Sequence, residues 1–266
     1  MKDVFYPNSV AVVGVSSDPD NLGRNIMLNL IDFGFDGVVY PVGPRGGTIA
    51  ARRIHTSVLD IPDEVDMAVI LVPARFVPQV LRECGQKGVR RAVIETAGFR
   101  EYSEQGRALE EEVLAVAEEY GIRFIGPNCL GIMRPGSGLN CTFNKGSATP
   151  GKIALVSQSG ALCTAILDWS AANRIGFSTV VSTGISADTD FGDVLDFLVS
   201  DPETKSILLY IEGVHNARSF MSGLRAAARV KPVIALKVGR HASGSKAAMS
   251  HTGAMVGSDD VFESAL

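Results

Sequence analysis

The sequence predicts an α/β protein made of two open, largely parallel sheets in tandem. Three observations lead there: short apolar runs without polar alternation, amphipathic helical stripes between them, and one pause after which the same alternation restarts. In the first half, apolar runs at residues 10–13, 38–40, 67–72, 92–94 and 124–125 read as strands covered on both faces. Between them, Phe76, Val77, Val80, Leu81 and Cys84 form one helical stripe. Leu109, Val113, Val116, Ala117 and Tyr120 form another, with Glu110, Glu111, Glu112, Glu118 and Glu119 expected to face water.

The pause follows Asn128 and is rich in Gly, Pro and Ser, from GIMRPGSG through KGSATPGK. A domain boundary is placed near Thr149, giving domains of residues 1–148 and 149–266. Strands are then expected at residues 153–156, 179–181, 207–211 and 233–237, with helices starting near Gly160, Phe191, Ala217 and Gly257.

Composition narrows the class of function. At 266 residues, 46% apolar and 20% charged, with 28 glycines, the chain has ample material for packed cores and tight turns. A formal charge of −4 argues against a general nucleic-acid binder, while leaving room for a local basic pocket. No segment approaches the roughly 20 apolar residues of a membrane helix, so a soluble, cytoplasmic protein is expected. Cys84, Cys129, Cys141 and Cys163 form no CxxC pair and no Cys/His cluster, so they read as reduced structural thiols and no metal site is expected.

In open α/β sheets, ligands sit beyond the carboxyl ends of the strands, so the loops there carry the functional information. GVSSDPDNLGRN brings Gly14, Val15, Ser16 and Ser17 off the first strand toward a helix near Leu22. Small residues and a helix N-terminus suit a phosphate, although an ordinary strand-to-helix turn has the same look and the spacing is not GxGxxG. A nicotinamide-dependent oxidoreductase therefore has only the sheet topology in its favour. Three more loops should converge on that edge. PVGPRGG offers Arg45 to a phosphate; VPARF (Val72, Pro73) and TAGFRE (Thr96, Ala97, Gly98) could shape a groove for an adenine or a pantetheine arm, or be plain surface turns.

IGPNCLGI places Asn128 after a strand, where its amide suits ligand contact and loop bracing equally. SQSGAL sets Ser157, Ser159, Gly160 and Ala161 at a helix start whose unsatisfied N–H groups can take an anion, or where Ser159 simply caps the helix. SKAAMSHTGAMVGSD puts His251 in a small-residue loop. An imidazole with one nitrogen free and the other held by a carboxylate is a competent phosphate acceptor, and Glu212 in YIEGV is the candidate holder; an exposed histidine is the plainer alternative. His55, His215 and His241 read as structural or surface residues.

Together, GVSSDP, LVPARFVPQVLRECGQKGVRRAVIETAGF, RFIGPNCLGI, ALVSQSGAL, LLYIEGV and SHTGAMVGSD resemble the acyl-CoA synthetases that form a nucleoside diphosphate, in motif order and over nearly the whole chain. This superfamily contains the ADP-forming acetate–CoA ligases and, more distantly, the α subunit of succinyl-CoA synthetase. The resemblance implies a Rossmann-like coenzyme-A-binding domain followed by a flavodoxin-like domain. The implied reaction is reversible: acyl-CoA, phosphate and ADP give an acid, CoA and ATP through an acyl phosphate and a phosphohistidine. His251 matches the phosphoryl acceptor, Glu212 its orienting carboxylate and the SQSGAL turn the phosphate cradle. The first-domain loops match the CoA groove, with Arg45 where the succinyl-CoA synthetase relative has a lysine, an exchange that keeps the charge and changes the geometry.

Implied partners are a small carboxylic acid and an ATP-grasp domain or β subunit carrying ADP/ATP with Mg2+, absent from this sequence; a homo-oligomer is compatible. The sequence is expected to stop inside the helix after the histidine loop, as a truncated second domain would. The alternative is a synthetase-like regulatory region of an acetyltransferase fusion.

Overall fold

The computed structural model describes residues 1–146 and 148–238. The chain runs through α1 (Lys2–Phe5), β1 (Ser9–Val13), α2 (Leu22–Asp32), β2 (Val38–Val42), a small hairpin of β3 (Gly47–Ile49) and β4 (Arg52–Ile54), β5 (Met67–Ile70), α3 (Val77–Lys87), β6 (Arg91–Ile94), α4 (Glu104–Tyr120) and β7 (Arg123–Ile125). It continues through β8 (Gly131–Arg134), β9 (Leu139–Thr142), β10 (Pro150–Ser157), α5 (Gly160–Ala172), β11 (Phe177–Ser182), α6 (Phe191–Ser200), β12 (Ser206–Ile211), α7 (Ala217–Ala228) and β13 (Val233–Lys237).

The first sheet is parallel throughout, in the order β2-β1-β5-β6-β7. All residues of β1 and β5 are buried, which explains why their sequences show no alternation. The chain leaves β1 toward β2 on one side and returns to β5 on the other, so a crevice opens beyond the carboxyl end of β1.

The second sheet repeats the device. Its order is β13-β12-β10-β11-β8-β9, with β10 to β13 parallel. β10 lies between β11 and β12, so this sheet also has a switch point, just beyond Ser157. Every strand expected from the apolar runs is present, and helices begin at Leu22, Gly160, Phe191 and Ala217. The helix expected near Gly257 lies outside the described residues.

Two expectations change. The pause after Asn128 contains β8 and β9, an antiparallel pair that hydrogen-bonds onto β11. Strand pairing therefore carries the second sheet back to Gly131, ahead of residue 149. These short strands hide among Gly, Pro and Ser because the edge pairing, rather than their own composition, makes them strands. Glu110, expected in water, is buried: the Arg100 side chain folds back to it, Nη1 to Oε1 at 3.4 Å, and supplies the charge that burial requires.

The two sheets are joined by packing and by polar ties. One apolar cluster runs from Val12 and Ile26 to Val156 and Val181. Asn29 of α2 donates to the carbonyls of Thr142 and Asn144 at 2.8 and 2.7 Å. At the lower end, Arg134 of β8 is sealed against Asp201 at 2.7 Å, bonds the Thr179 hydroxyl and the Tyr6 hydroxyl, and so ties the N-terminal segment to the second sheet.

Candidate functional site

The first crevice is a groove of about 530 Å³ at the β1–β5 switch point, lined by Gly14, Val15, Ser16, Val72 and Pro73, with Phe76 at its mouth. Close backbone approach shapes it. Gly14 has φ +109°, and a Cβ there would lie 2.0 Å from the Leu71 carbonyl oxygen. A Cβ on Gly43 would lie 1.9 Å from the Val15 carbonyl oxygen, so the β1 and β2 loops touch through backbone alone.

Asn21 then fixes the loop. Its Oδ1 accepts from the N–H of Arg24 at 2.7 Å, capping α2, and from the N–H of Ser16 at 3.1 Å, while Nδ2 donates to the Gly14 carbonyl at 3.0 Å. Asn21 also lines the groove and was missed by the sequence reasoning; its position one residue before the predicted helix was the available signal. These small residues and the α2 N-terminus fit a phosphorylated ligand with a slender arm.

Of the other first-domain candidates, Thr96 is buried and its Oγ1 bonds both backbone groups of Val72, donating to the carbonyl at 2.9 Å and accepting from the N–H at 3.2 Å. Its role is to hold the groove loop. Gly98 gives its N–H to Glu101 at 2.7 Å and is committed to its own turn. Ser17 and Arg45 are exposed and do not line the groove, because the β3–β4 hairpin carries the turn at Arg45 out to the surface.

The second crevice, of about 490 Å³, lies where the sheets meet. Ala97, Asn128, Ser159, Gly160 and Ala161 line it, and Leu71 lines both crevices, so the groove and this cleft adjoin. Asn128 has φ +55° after the cis Gly126–Pro127 bond, and its N–H donates to the Thr96 carbonyl at 2.9 Å. The same loop accepts from the N–H of Ile185 and Ala187 in the second half, both at 3.0 Å, through Pro127 and Gly126. Asn128 thus sits in a loop that braces the two sheets while lining the cleft.

Ser157 is buried and turns the chain: its Oγ accepts from the Ser159 N–H at 3.1 Å and donates to the Ser159 carbonyl at 3.0 Å. Ser159 caps α5, accepting from the Leu162 N–H at 3.2 Å. Capping thus occurs as the plainer reading foresaw, and the N-terminus of α5 still opens on the cleft through Ser159, Gly160 and Ala161.

Gln158, which the sequence reasoning passed over, joins this turn to Glu212. Its Oε1 accepts from the N–H groups of Glu212 and Gly213 at 2.6 and 3.0 Å, and its Nε2 donates to the Gly213 carbonyl at 2.9 Å. Buried Glu212, just past the end of β12, is thereby tied to the α5 turn. His251 lies outside the described residues. Also missed was Glu95, a buried residue that lines the cleft. A charged residue directly after the apolar run at 92–94 was the signal.

Two largely parallel sheets, with one ligand-sized crevice at the first switch point, a second where the sheets meet, and a helix N-terminus opening on each, define an α/β protein of the coenzyme- and phosphate-binding class. Residues 8–135 match the model of the CoA binding domain, and residues 150–266 match that of the succinyl-CoA ligase like flavodoxin domain. The chain belongs to the acyl-CoA synthetase family that forms a nucleoside diphosphate.

It is 47% identical to the α subunit of acetate–CoA ligase [ADP-forming] I from Pyrococcus furiosus, covering 100% of this chain and 58% of that subunit. It is 31% identical to succinate–CoA ligase [ADP-forming] subunit alpha 1 of Archaeoglobus fulgidus, over 85% of this chain and 77% of that one. A solved structure described as the dinucleotide-forming acetyl-coenzyme A synthetase 1 of Ca. Korarchaeum cryptofilum, in complex with phosphate and ADP, superposes with a TM-score of 0.95. It is 41% identical and covers 99% of this chain and 57% of that one. This chain therefore spans less than two thirds of the first and third of these relatives. The acetyltransferase-fusion alternative gains no support from them.

Proposed function

We propose that this chain is the coenzyme-A-binding and phosphohistidine-bearing portion of an acid–CoA ligase that works with an ATP-grasp domain or β subunit. The reaction is acyl-CoA + phosphate + ADP ⇌ acid + CoA + ATP. The observation that carries this reading is the pair of adjoining crevices sharing Leu71, one shaped by backbone for a coenzyme and the other opening on a helix N-terminus.

In this reading the groove of Gly14, Val15, Ser16, Val72 and Pro73 holds CoA and directs its thioester toward the cleft. Backbone N–H groups at Gly160 and Ala161 hold the phosphate, which attacks the thioester carbonyl; the C–S bond breaks and CoA leaves. His251 then accepts the phosphoryl group from the acyl phosphate and releases the acid, with Glu212 holding the ring's other nitrogen. Phospho-His251 passes its phosphoryl group to ADP on the partner, where Mg2+ would neutralise the phosphates. The division of labour follows domains of residues 1–148 and 149–266, with the β8–β9 pair bridging them.

Incubating the chain and its cognate ATP-grasp partner with labelled ATP tests the proposal. Acid-labile label on this chain, absent from His251→Ala, is expected; label retained in that variant overturns the assignment. Calorimetry should show CoA binding to the chain, and folded protein that does not bind CoA counts against the groove.

A further inference from the structure

Glu95 differs from three other buried carboxylates, Asp201, Glu110 and Asp190. Asp201 has Arg134 and Thr204, Glu110 has Arg100, and Asp190 accepts from the Gly192 N–H. Glu95 is 3% exposed, and neither of its carboxyl oxygens has a hydrogen-bond partner among the described residues. Native structures rarely leave both oxygens of a buried carboxyl unsatisfied, and each such instance asks for a reason.

Its location supplies one. Glu95 follows β6 directly, its N–H bonded to the Ile70 carbonyl, and it lines the cleft together with Asn128, Ser159 and Gly160. A Cβ at Gly131 would lie 2.5 Å from Glu95 Oε1, so the glycine makes room for the carboxyl. Leu71, Leu130, Phe143 and Ile185 make much of the remaining wall apolar. We propose that Glu95 is a specificity-determining residue of the acid pocket, and that its carboxyl pairs with a hydroxyl substituent on the carboxylic acid substrate. The inference rests on the ligase reading above.

The chemistry favours a hydroxyl over other substituents. Burial with no cation beside it raises the Glu95 pKa well above the ordinary carboxylate value, which favours the uncharged form of the group. An uncharged carboxyl both donates and accepts, as a hydroxyl does, and it does not repel the substrate's own carboxylate. An alkyl chain would leave both oxygens unsatisfied, and an ammonium group would require the ionised form.

The test uses the reconstituted ligase, this chain with its ATP-grasp partner. It compares kcat/KM for short alkyl acids, their hydroxy derivatives of equal length and the corresponding amino acids. The wild type should prefer the hydroxy acid over the alkyl acid by on the order of 10-fold or more. Glu95→Leu should abolish or invert that ratio and Glu95→Gln should keep part of it, with thermal melts reporting folding. If the leucine variant does not fold, the wild-type and glutamine ratios still decide. Equal use of alkyl and hydroxy acids by the wild type, a preference for the amino acid, or an unchanged ratio in the folded leucine variant overturns the inference. Labelling of His251 from ATP in the wild type separates the two claims: its absence, with no acid turned over, overturns the ligase reading itself.

Discussion

Gln158 commits its whole amide to one stretch of backbone, the Glu212–Gly213 segment, and thereby fixes where a carboxylate stands relative to the α5 turn. Gln158→Ala should leave buried N–H and carbonyl groups unpaired at a cost of about 1–3 kcal/mol. Phosphohistidine formation should fall as well, both losses being measurable by urea unfolding and by label incorporation. Gly14 is constrained from two sides, by φ +109° and by the Leu71 carbonyl. Gly14→Ala should therefore weaken CoA affinity measured by calorimetry and lower the melting temperature. Glu95 makes a pH prediction. Its pKa is higher folded than unfolded, so its contribution to stability is full below the unfolded value and is lost as pH rises through the folded one. Wild-type melting temperature should fall from mildly acidic to mildly alkaline pH more steeply than that of Glu95→Gln.

Among the elements, α5 carries the phosphate argument, and its cap is separable from its charge. Ser159→Ala removes one acceptor from the first turn and should cost about 1 kcal/mol. Ser159→Asp keeps the cap but adds an anion at the cleft, so it should hold stability near wild type while reducing phosphohistidine labelling. Comparing the two by thermal melts and label incorporation tells loss of the cap from loss of the anion site. The β8–β9 pair shows how an element can be real and yet barely visible in sequence. Its residues become strand by pairing Ile132 and Met133 with Val181 and Val180 on the edge of a sheet already formed by longer runs. Glu110 illustrates the same limit on a helix: the 3.6-residue period placed it outward, but Arg100, ten residues earlier in a turn, draws it in.

At the scale of the whole molecule, the halves are held at one end by Tyr6, whose hydroxyl bonds the Arg134–Asp201 pair, and by loop 126–128 against residues 184–187 at the other. Burial alone would raise the Asp201 pKa, but hydrogen bonds from Arg134 and Thr204 outweigh it and hold the carboxyl below its ordinary value. The resulting stability is present above the unfolded carboxylate pKa and is lost as pH falls through the folded one. Arg134→Met would strand a buried carboxylate and should cost about 3–5 kcal/mol, read by urea unfolding, with the loss smaller in strong acid where Asp201 is protonated.

Sequence alone determined the strands of both parallel sheets and most of the loops at their carboxyl edges, because fully buried strands need uninterrupted apolar runs and tight turns need small residues. Gly14, Val15, Ser16, Val72 and Pro73 were legible for that reason, as were Asn128 and the turn at 157–161. Only the tertiary structure decided that Arg45 is carried away from the groove, that Gln158 ties Glu212 to the phosphate turn, and that Glu95 stands without a partner in the cleft wall. Those outcomes depend on residues tens of positions apart meeting in space, and hydrogen-bond satisfaction between distant groups leaves no periodic trace along a chain.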